Sequence, residues 1–154
     1  KTATLIAACC EAGARSVGCS EEVAKKMHRF GELVGIAFQI KDDLFDYTTS
    51  NAIGKPVGID IKEQKMTLPL IYSINTANEK DKKWLINSVK RYNNDKKRVR
   101  EIIQYVKDHG GIEYTQKMMK QYSQEALDIL YEFPESEFRN SLETMVKYVI
   151  EREK

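Results

Sequence analysis

Apolar residues recur along this chain at three- and four-residue intervals from one end to the other, and nowhere do they alternate with polar ones over a strand-length stretch. The spacing predicts helices. Apolar stripes run through Leu5/Ala8/Cys9/Ala12, Leu85/Ile86/Val89, Val99/Ile102/Ile103/Val106, Met118/Tyr122/Ile129 and Phe138/Leu142/Met145/Val146/Val149. Turn formers punctuate them. Gly13 and Gly18 are expected to part the first helix from the second, and Gly110-Gly111 and Pro134 to end later ones, with His109 as a helix C-terminal residue favoured by the dipole. This pattern predicts about seven helices in one all-α bundle. A segment over residues 48–65 is read as a loop, because Thr48-Thr49-Ser50-Asn51 and Gly54-Lys55-Pro56-Val57-Gly58 are rich in turn formers.

The stretch Phe38-Gln39-Ile40-Lys41-Asp42-Asp43-Leu44-Phe45-Asp46-Tyr47 breaks the apolar rule with three carboxylates inside a helical run. At roughly 100° per residue, Gly35, Gln39, Asp42, Asp43 and Asp46 share a sector about 100° wide, with Leu33, Ala37, Ile40 and Leu44 opposite. A helix that is apolar around most of its girth is buried, so the acids are expected to line a cleft. Like charges four apart cost roughly 0.2–0.5 kcal/mol even when exposed. Burial raises that cost unless a cation is present. Oxygen ligands with no His or Cys beside them favour Mg²⁺, which takes one or two carboxylates and completes its shell with water and phosphate. A solvated acidic turn is the plainer alternative, and Leu44 and Phe45 between the acids count against it. A calcium loop is disfavoured because it needs ligands at alternate positions and a Gly at the sixth.

Lys55, between Gly54 and Pro56, and Lys65, just before Met66-Thr67-Leu68-Pro69, supply cations next to the acids in sequence, as a metal-bridged diphosphate needs. Thr67 is placed to cap a new helix with Leu68 and Pro69 in its first turn. The Gly-Lys-Pro element is no P-loop, since the second Gly and the hydroxyl residue after Lys are missing.

These elements together resemble the trans-isoprenyl (polyprenyl) diphosphate synthases. The family's second aspartate-rich motif is similar to Phe38-Gln39-x-x-Asp42-Asp43-x-x-Asp46, followed by Gly54-Lys55-Pro56-x-Gly58-x-Asp60 and Lys65-x-Thr67-Leu68-Pro69-Leu70. Lys1-Thr2-Ala3-x-Leu5 resembles the family's Lys-Thr motif. The run Gly31–Gln39 looks most like long-chain, octaprenyl-type members, and residues 71–154 agree in helical character only. The resemblance implies the C-terminal half of the isoprenoid synthase (class I terpenoid synthase) fold. It also implies head-to-tail condensation of an allylic diphosphate with isopentenyl diphosphate, with Mg²⁺. Asp42 would then ligate metal, with Asp43 and Asp46 holding its waters or nearby lysines. Lys1, Thr2 and Lys55 would contact the allylic diphosphate, with Lys65 as a further substrate contact, and Gln39 would face the reacting carbons. The family's first aspartate-rich motif has no counterpart here, and its members are about twice as long. The chain is therefore expected to be the C-terminal half of a synthase, inactive alone and homodimeric in its full-length parent. A non-catalytic partner subunit and a terpene cyclase-like enzyme are the alternatives. Intact aspartates argue against the first, and Lys1-Thr2 with Gly54-Lys55-Pro56 against the second.

Composition changes this picture little. The length of 154 residues and 42% hydrophobic content suit one domain with a core. A net charge of +2, with acids and bases interleaved, gives no nucleic-acid signal. The basic run Lys96-Lys97-Arg98-x-Arg100 reads as a solvated helix face. Cys9, Cys10 and Cys19 lack metal-ligand spacing and read as reduced cytoplasmic thiols. No stretch approaches the roughly 18 apolar residues of a membrane span.

Overall fold

Helix boundaries follow the local chemistry of the chain. In the computed structural model, which describes residues 1–48 and 57–152, the helices are α1 (Thr2–Ser16), α2 (Glu21–Phe45), α3 (Ile59–Lys62), α4 (Leu68–Thr76), α5 (Glu79–Arg91), α6 (Lys96–Asp108), α7 (Gly111–Tyr131) and α8 (Glu137–Glu151). There is no strand among the described residues, as the periodicity predicts. Asn78, Asp95 and Ser136 cap α5, α6 and α8 by accepting backbone N–H bonds. Gly18 and Gly110 take positive φ of 72° and 75° after α1 and α6, a conformation glycine adopts without a Cβ penalty. Two expectations need correction. Gly13 lies inside α1 and breaks nothing. Of the segment read as a loop, residues 49–56 lie outside the described residues, and the described remainder contains the short helix α3, which brings the described helices to eight.

Packing divides the chain into two compact units, Lys1–Lys41 with Lys117–Lys154, and Asp42–Gln116. The division falls within α2 and α7.

In the first unit, two glycines of α2 admit α1. A Cβ on Gly31 would lie 2.7 Å from the Ile6 carbonyl oxygen, and one on Gly35 would lie 2.5 Å from the Ala3 Cα. This contact turns Ala3, Ile6, Ala7 and Cys10 toward α2. The expected stripe Leu5/Ala8/Cys9/Ala12 is instead exposed, Leu5 by 66%. Helix α1 is apolar on nearly every side, so periodicity cannot choose its face. The glycine contact does. In the part of α7 from Lys117 onward the buried positions are Met119, Ala126, Leu127 and Leu130 with Ser123, one residue on from the expected Met118/Tyr122/Ile129 register. Helix α8 buries Val146 and Val149 but leaves Phe138 83% exposed. Its end is tied to α2, since Lys41 Nζ donates to the Ile150 carbonyl at 2.8 Å and Arg152 to the Phe38 carbonyl at 3.3 Å. Lys26 bridges Glu22 and Glu132 at 2.9 and 2.8 Å. Exposed pairs of this kind contribute only about 0–1 kcal/mol.

The second unit has a contiguous core of Tyr47, Ile61, Leu70, Ile74, Leu85, Val89, Val99, Ile102, Ile103 and Val106. Here the α6 stripe is buried at all four expected positions. Each such side chain contributes roughly 1.5–3 kcal/mol by leaving water. Gly58 packs against this core, because a Cβ there would meet Val99 Cγ1 at 2.5 Å. No helix among the described residues is long and apolar enough to cross a membrane.

Candidate functional site

The sequence-predicted residues fall in both units. In the first, Lys1 sits at the start of α1, where its carbonyl accepts the Leu5 N–H at 3.0 Å. The next residue, Thr2, donates its hydroxyl to Gln39 Oε1 at 3.4 Å. The close approach of Ala3 to Gly35 makes this pairing possible, since any larger residue at 35 would hold α1 off α2. The structure therefore brings Thr2 and Gln39 together across 37 residues of sequence. The Gln39 side chain is exposed, in contrast to the apolar residues on the other face of α2.

In the second unit, the three acids divide by environment. Asp42 and Asp43 are half-buried, so they lie on neither a freely solvated face nor a closed core. Asp46 is only 8% exposed. Both of its carboxylate oxygens are engaged: Oδ1 accepts from the Ile59 N–H at 2.8 Å and Oδ2 from the Asp60 N–H at 3.0 Å. Its backbone carbonyl accepts the Gly58 N–H at 3.1 Å. Gly58, in the left-handed region with φ 79°, is the N-cap residue of α3 and has no side chain to offer. Asp46 does that work from 13 positions earlier in the chain. Burial pushes the Asp46 carboxyl above its ordinary range, while the backbone N–H groups of Ile59, Asp60 and Gly58 pull the other way.

The residue after it is tied down as firmly. Tyr47 is 1% exposed, and its hydroxyl meets Thr67 Oγ1 at 2.8 Å. Burial raises the Tyr47 phenol well above its usual pKa. Thr67 occupies the N-cap position of α4 as expected, with Pro in the first turn, but its side chain makes no capping bond. The hydroxyl is used by Tyr47 instead. Lys65 pairs with Asp60 at 3.2 Å and Glu63 at 2.6 Å, and these acids raise its pKa.

Among the described residues, no three His, Cys, Asp or Glu side chains gather as a metal cluster. Lys55, with Gly54 and Pro56, lies outside the described residues. The Tyr47–Thr67 bond and the Asp46 bonds to α3 are the features sequence reasoning missed. The signal was present in the adjacency of Asp46 to Tyr47 and in Thr67 before Leu68-Pro69, but nothing in a linear pattern pairs them.

Comparison with known proteins decides the family. The Polyprenyl synthetase family model matches residues 1–106. The chain belongs to the polyprenyl synthetase family. It is 35% identical over 153 residues to heptaprenyl diphosphate synthase component 2 of Bacillus subtilis, covering 99% of this chain and 43% of that protein. It is 37% identical over 154 residues to a short chain isoprenyl diphosphate synthase of Methanothermobacter thermautotrophicus, covering 99% and 47%. Among solved structures, a geranylgeranyl pyrophosphate synthase from Bacteroides thetaiotaomicron superposes with a TM-score of 0.90 at 41% identity, covering 99% of this chain and 50% of that one. The polyprenyl synthetase chain thus has the expected isoprenoid synthase fold, and it spans about half the length of the relatives it matches. The names of these relatives include short-chain, heptaprenyl and geranylgeranyl products.

Proposed function

We propose that this chain works within a Mg²⁺-dependent polyprenyl diphosphate synthase, joining an allylic diphosphate head to tail with isopentenyl diphosphate. The observation that carries the reading is the end of α2, where two half-buried carboxylates, Asp42 and Asp43, stand next to an Asp46 committed to the α3 backbone. Hard oxygen donors with no His or Cys among them fit Mg²⁺, which needs one or two carboxylates and takes its other ligands from water and phosphate. Asp42 would hold the metal directly and Asp43 its water shell. Asp46 anchors the helix end on which both are carried. Bound there, the metal would neutralise charge developing on the pyrophosphate leaving group.

The chain's own residues then orient substrate. Lys1, Thr2 and Lys55 bind the allylic diphosphate, and Lys65 offers a further cation in exchange with Asp60 and Glu63. Gln39, held by Thr2, presents its amide dipole to the carbocation formed as the diphosphate leaves. The departing pyrophosphate takes the proton lost after isopentenyl diphosphate attacks, so no side-chain base is required. Three free thiols, Cys9, Cys10 and Cys19, support a reducing, cytoplasmic setting. The resemblance favours a homodimeric full-length parent. A relative called component 2 supports a heteromeric assembly as the second reading.

The test uses the chain itself. Ligands that bind only the folded state stabilise it by mass action, by about 2.7 kcal/mol at a hundredfold excess over Kd. Mg²⁺ with pyrophosphate is expected to raise Tm more than either alone, and Asp42→Asn to abolish the gain. A gain that survives the substitution unchanged places the ligands elsewhere and refutes the metal assignment. In a full-length parent, Asp42→Ala is expected to cost several orders of magnitude in turnover of farnesyl diphosphate with isopentenyl diphosphate.

A further inference from the structure

The basic run at the start of α6 is exposed at Lys96, Lys97 and Arg100, as expected of a solvated face, and half-buried at Arg98. Its members point two ways. The Arg98 guanidinium lies 5.6 Å over the Trp84 ring and 5.5 Å over Tyr92, and pairs with Glu101 at 3.4 Å. Lys96 and Arg100, four residues apart and so on one helical face, turn instead to a cavity of about 220 Å³, where Lys62 of α3 joins them. The other lining residues, Val57, Val99 and Ile103, are all apolar. Val99 and Ile103 are core residues, 3% and 7% exposed. Gly58 fixes this wall, because its missing Cβ lets the chain lie directly against Val99 and Ile103.

Among the described residues, no acid pairs with these three cations, Lys62, Lys96 and Arg100. The nearest acids in sequence are committed: Glu63 to Lys65, Glu101 to Arg98, and Asp95 to the Lys97 and Arg98 N–H groups as the α6 cap. Three like charges around an apolar floor repel one another and favour an anion between them. The long stems of Lys and Arg can lie along apolar surface while their heads meet that anion.

We propose that this cavity binds an amphiphilic anion, with Lys62, Lys96 and Arg100 taking a phosphate or carboxylate head and Val57, Val99 and Ile103 taking an apolar tail. The volume is below the roughly 300–1,000 Å³ of sites for drug-sized ligands. It admits a short tail, or the end of a longer one. A bare anion would leave the floor unused, and an uncharged apolar molecule would leave the cations unneutralised. The head group could belong to a soluble amphiphile or to a membrane lipid.

The experiment follows methyl NMR signals of Val57, Val99 and Ile103 in the 154-residue chain, without Mg²⁺, during titration with octyl phosphate, octanol or inorganic phosphate. Octyl phosphate is expected to move these methyls and to bind at least tenfold more tightly than either of the other two. The variant Lys96→Gln/Arg100→Gln changes two exposed side chains, so its fold, checked by its unperturbed core methyls, is expected to persist. Its octyl phosphate affinity is expected to fall at least tenfold, with octanol binding unchanged. Vesicles of phosphatidylglycerol that move the same methyls, where phosphatidylcholine does not, would identify a lipid source; a response to octyl phosphate alone would identify a soluble one. Equal affinity for octyl phosphate and either control, no shift at these methyls with any probe, or affinity untouched by the double variant would overturn the proposal. Asp42→Asn is expected to leave this binding intact, so its outcome is separate from that of the metal site.

Discussion

Replacing Asp46 with Ala should loosen α3 before it affects anything else. Two N–H groups, those of Ile59 and Asp60, lose charged acceptors at 2.8 and 3.0 Å, and a helix of four residues loses its N-terminal cap. Hydrogen bonds to charged groups contribute about 1.5–3 kcal/mol each, and loss of a cap costs about 0.5–2 kcal/mol. These overlap, because the cap is made of the same bonds, and relief of the buried charge offsets part of the loss. A net cost of about 2–3 kcal/mol remains, or roughly 4–12 °C in Tm for a protein of this size. The local signature is sharper. The N–H groups of Lys62 and Glu63, which donate to the Gly58 and Ile59 carbonyls at 3.1 and 2.9 Å, should exchange with deuterium faster by an order of magnitude or more, while Val106 in the core changes only with global stability. Asp46→Asn keeps one acceptor oxygen and should lose about half as much. A Tm drop under 1 °C for Asp46→Ala, with unchanged exchange at Lys62 and Glu63, would refute Asp46 as the anchor of α3.

Other consequences follow from the same contacts. The folded Asp46 carboxyl holds its proton to a higher pH than the unfolded value of 3.8, so its contribution to stability is greatest at low pH and falls as pH rises through the folded pKa. The difference in urea unfolding free energy between the parent and Asp46→Asn should show that downward slope with rising pH, and an upward slope would contradict it. Tyr47→Phe leaves the buried Thr67 hydroxyl without its partner, at about 1–3 kcal/mol, readable as a lower urea midpoint with unchanged m. Equal stability would mean water or a rotamer change satisfies Thr67. Gly35→Val forces α1 away from α2 at Ala3; it should cost about 1–3 kcal/mol and separate Thr2 from Gln39, detectable as a change in the Gln39 side-chain amide resonances. Wild-type stability and resonances would show that α1 is not seated by this glycine.

Some of this protein was fixed by residue spacing alone. Helix α6 has one narrow apolar stripe, Val99/Ile102/Ile103/Val106, and a polar remainder, so only one face can be buried and the structure buries it. The family was legible for a related reason: Asp42-Asp43-x-x-Asp46, Lys65-x-Thr67-Leu68-Pro69 and Lys1-Thr2 are local strings whose order survives without coordinates. Tertiary structure decided what local strings leave degenerate. Helix α1 is apolar on several sides, and only the missing side chains of Gly31 and Gly35 select the face that packs. Three aspartates look alike in sequence, yet Asp46 is bound by the backbone of residues 13 and 14 positions away, a pairing no helical period encodes. Lys62 and Arg100 meet at one cavity for the same reason. Periodicity reports which residues share a helical face, because that geometry is set within a few residues; which faces meet depends on steric fit between distant segments, and that exists only once the chain has packed.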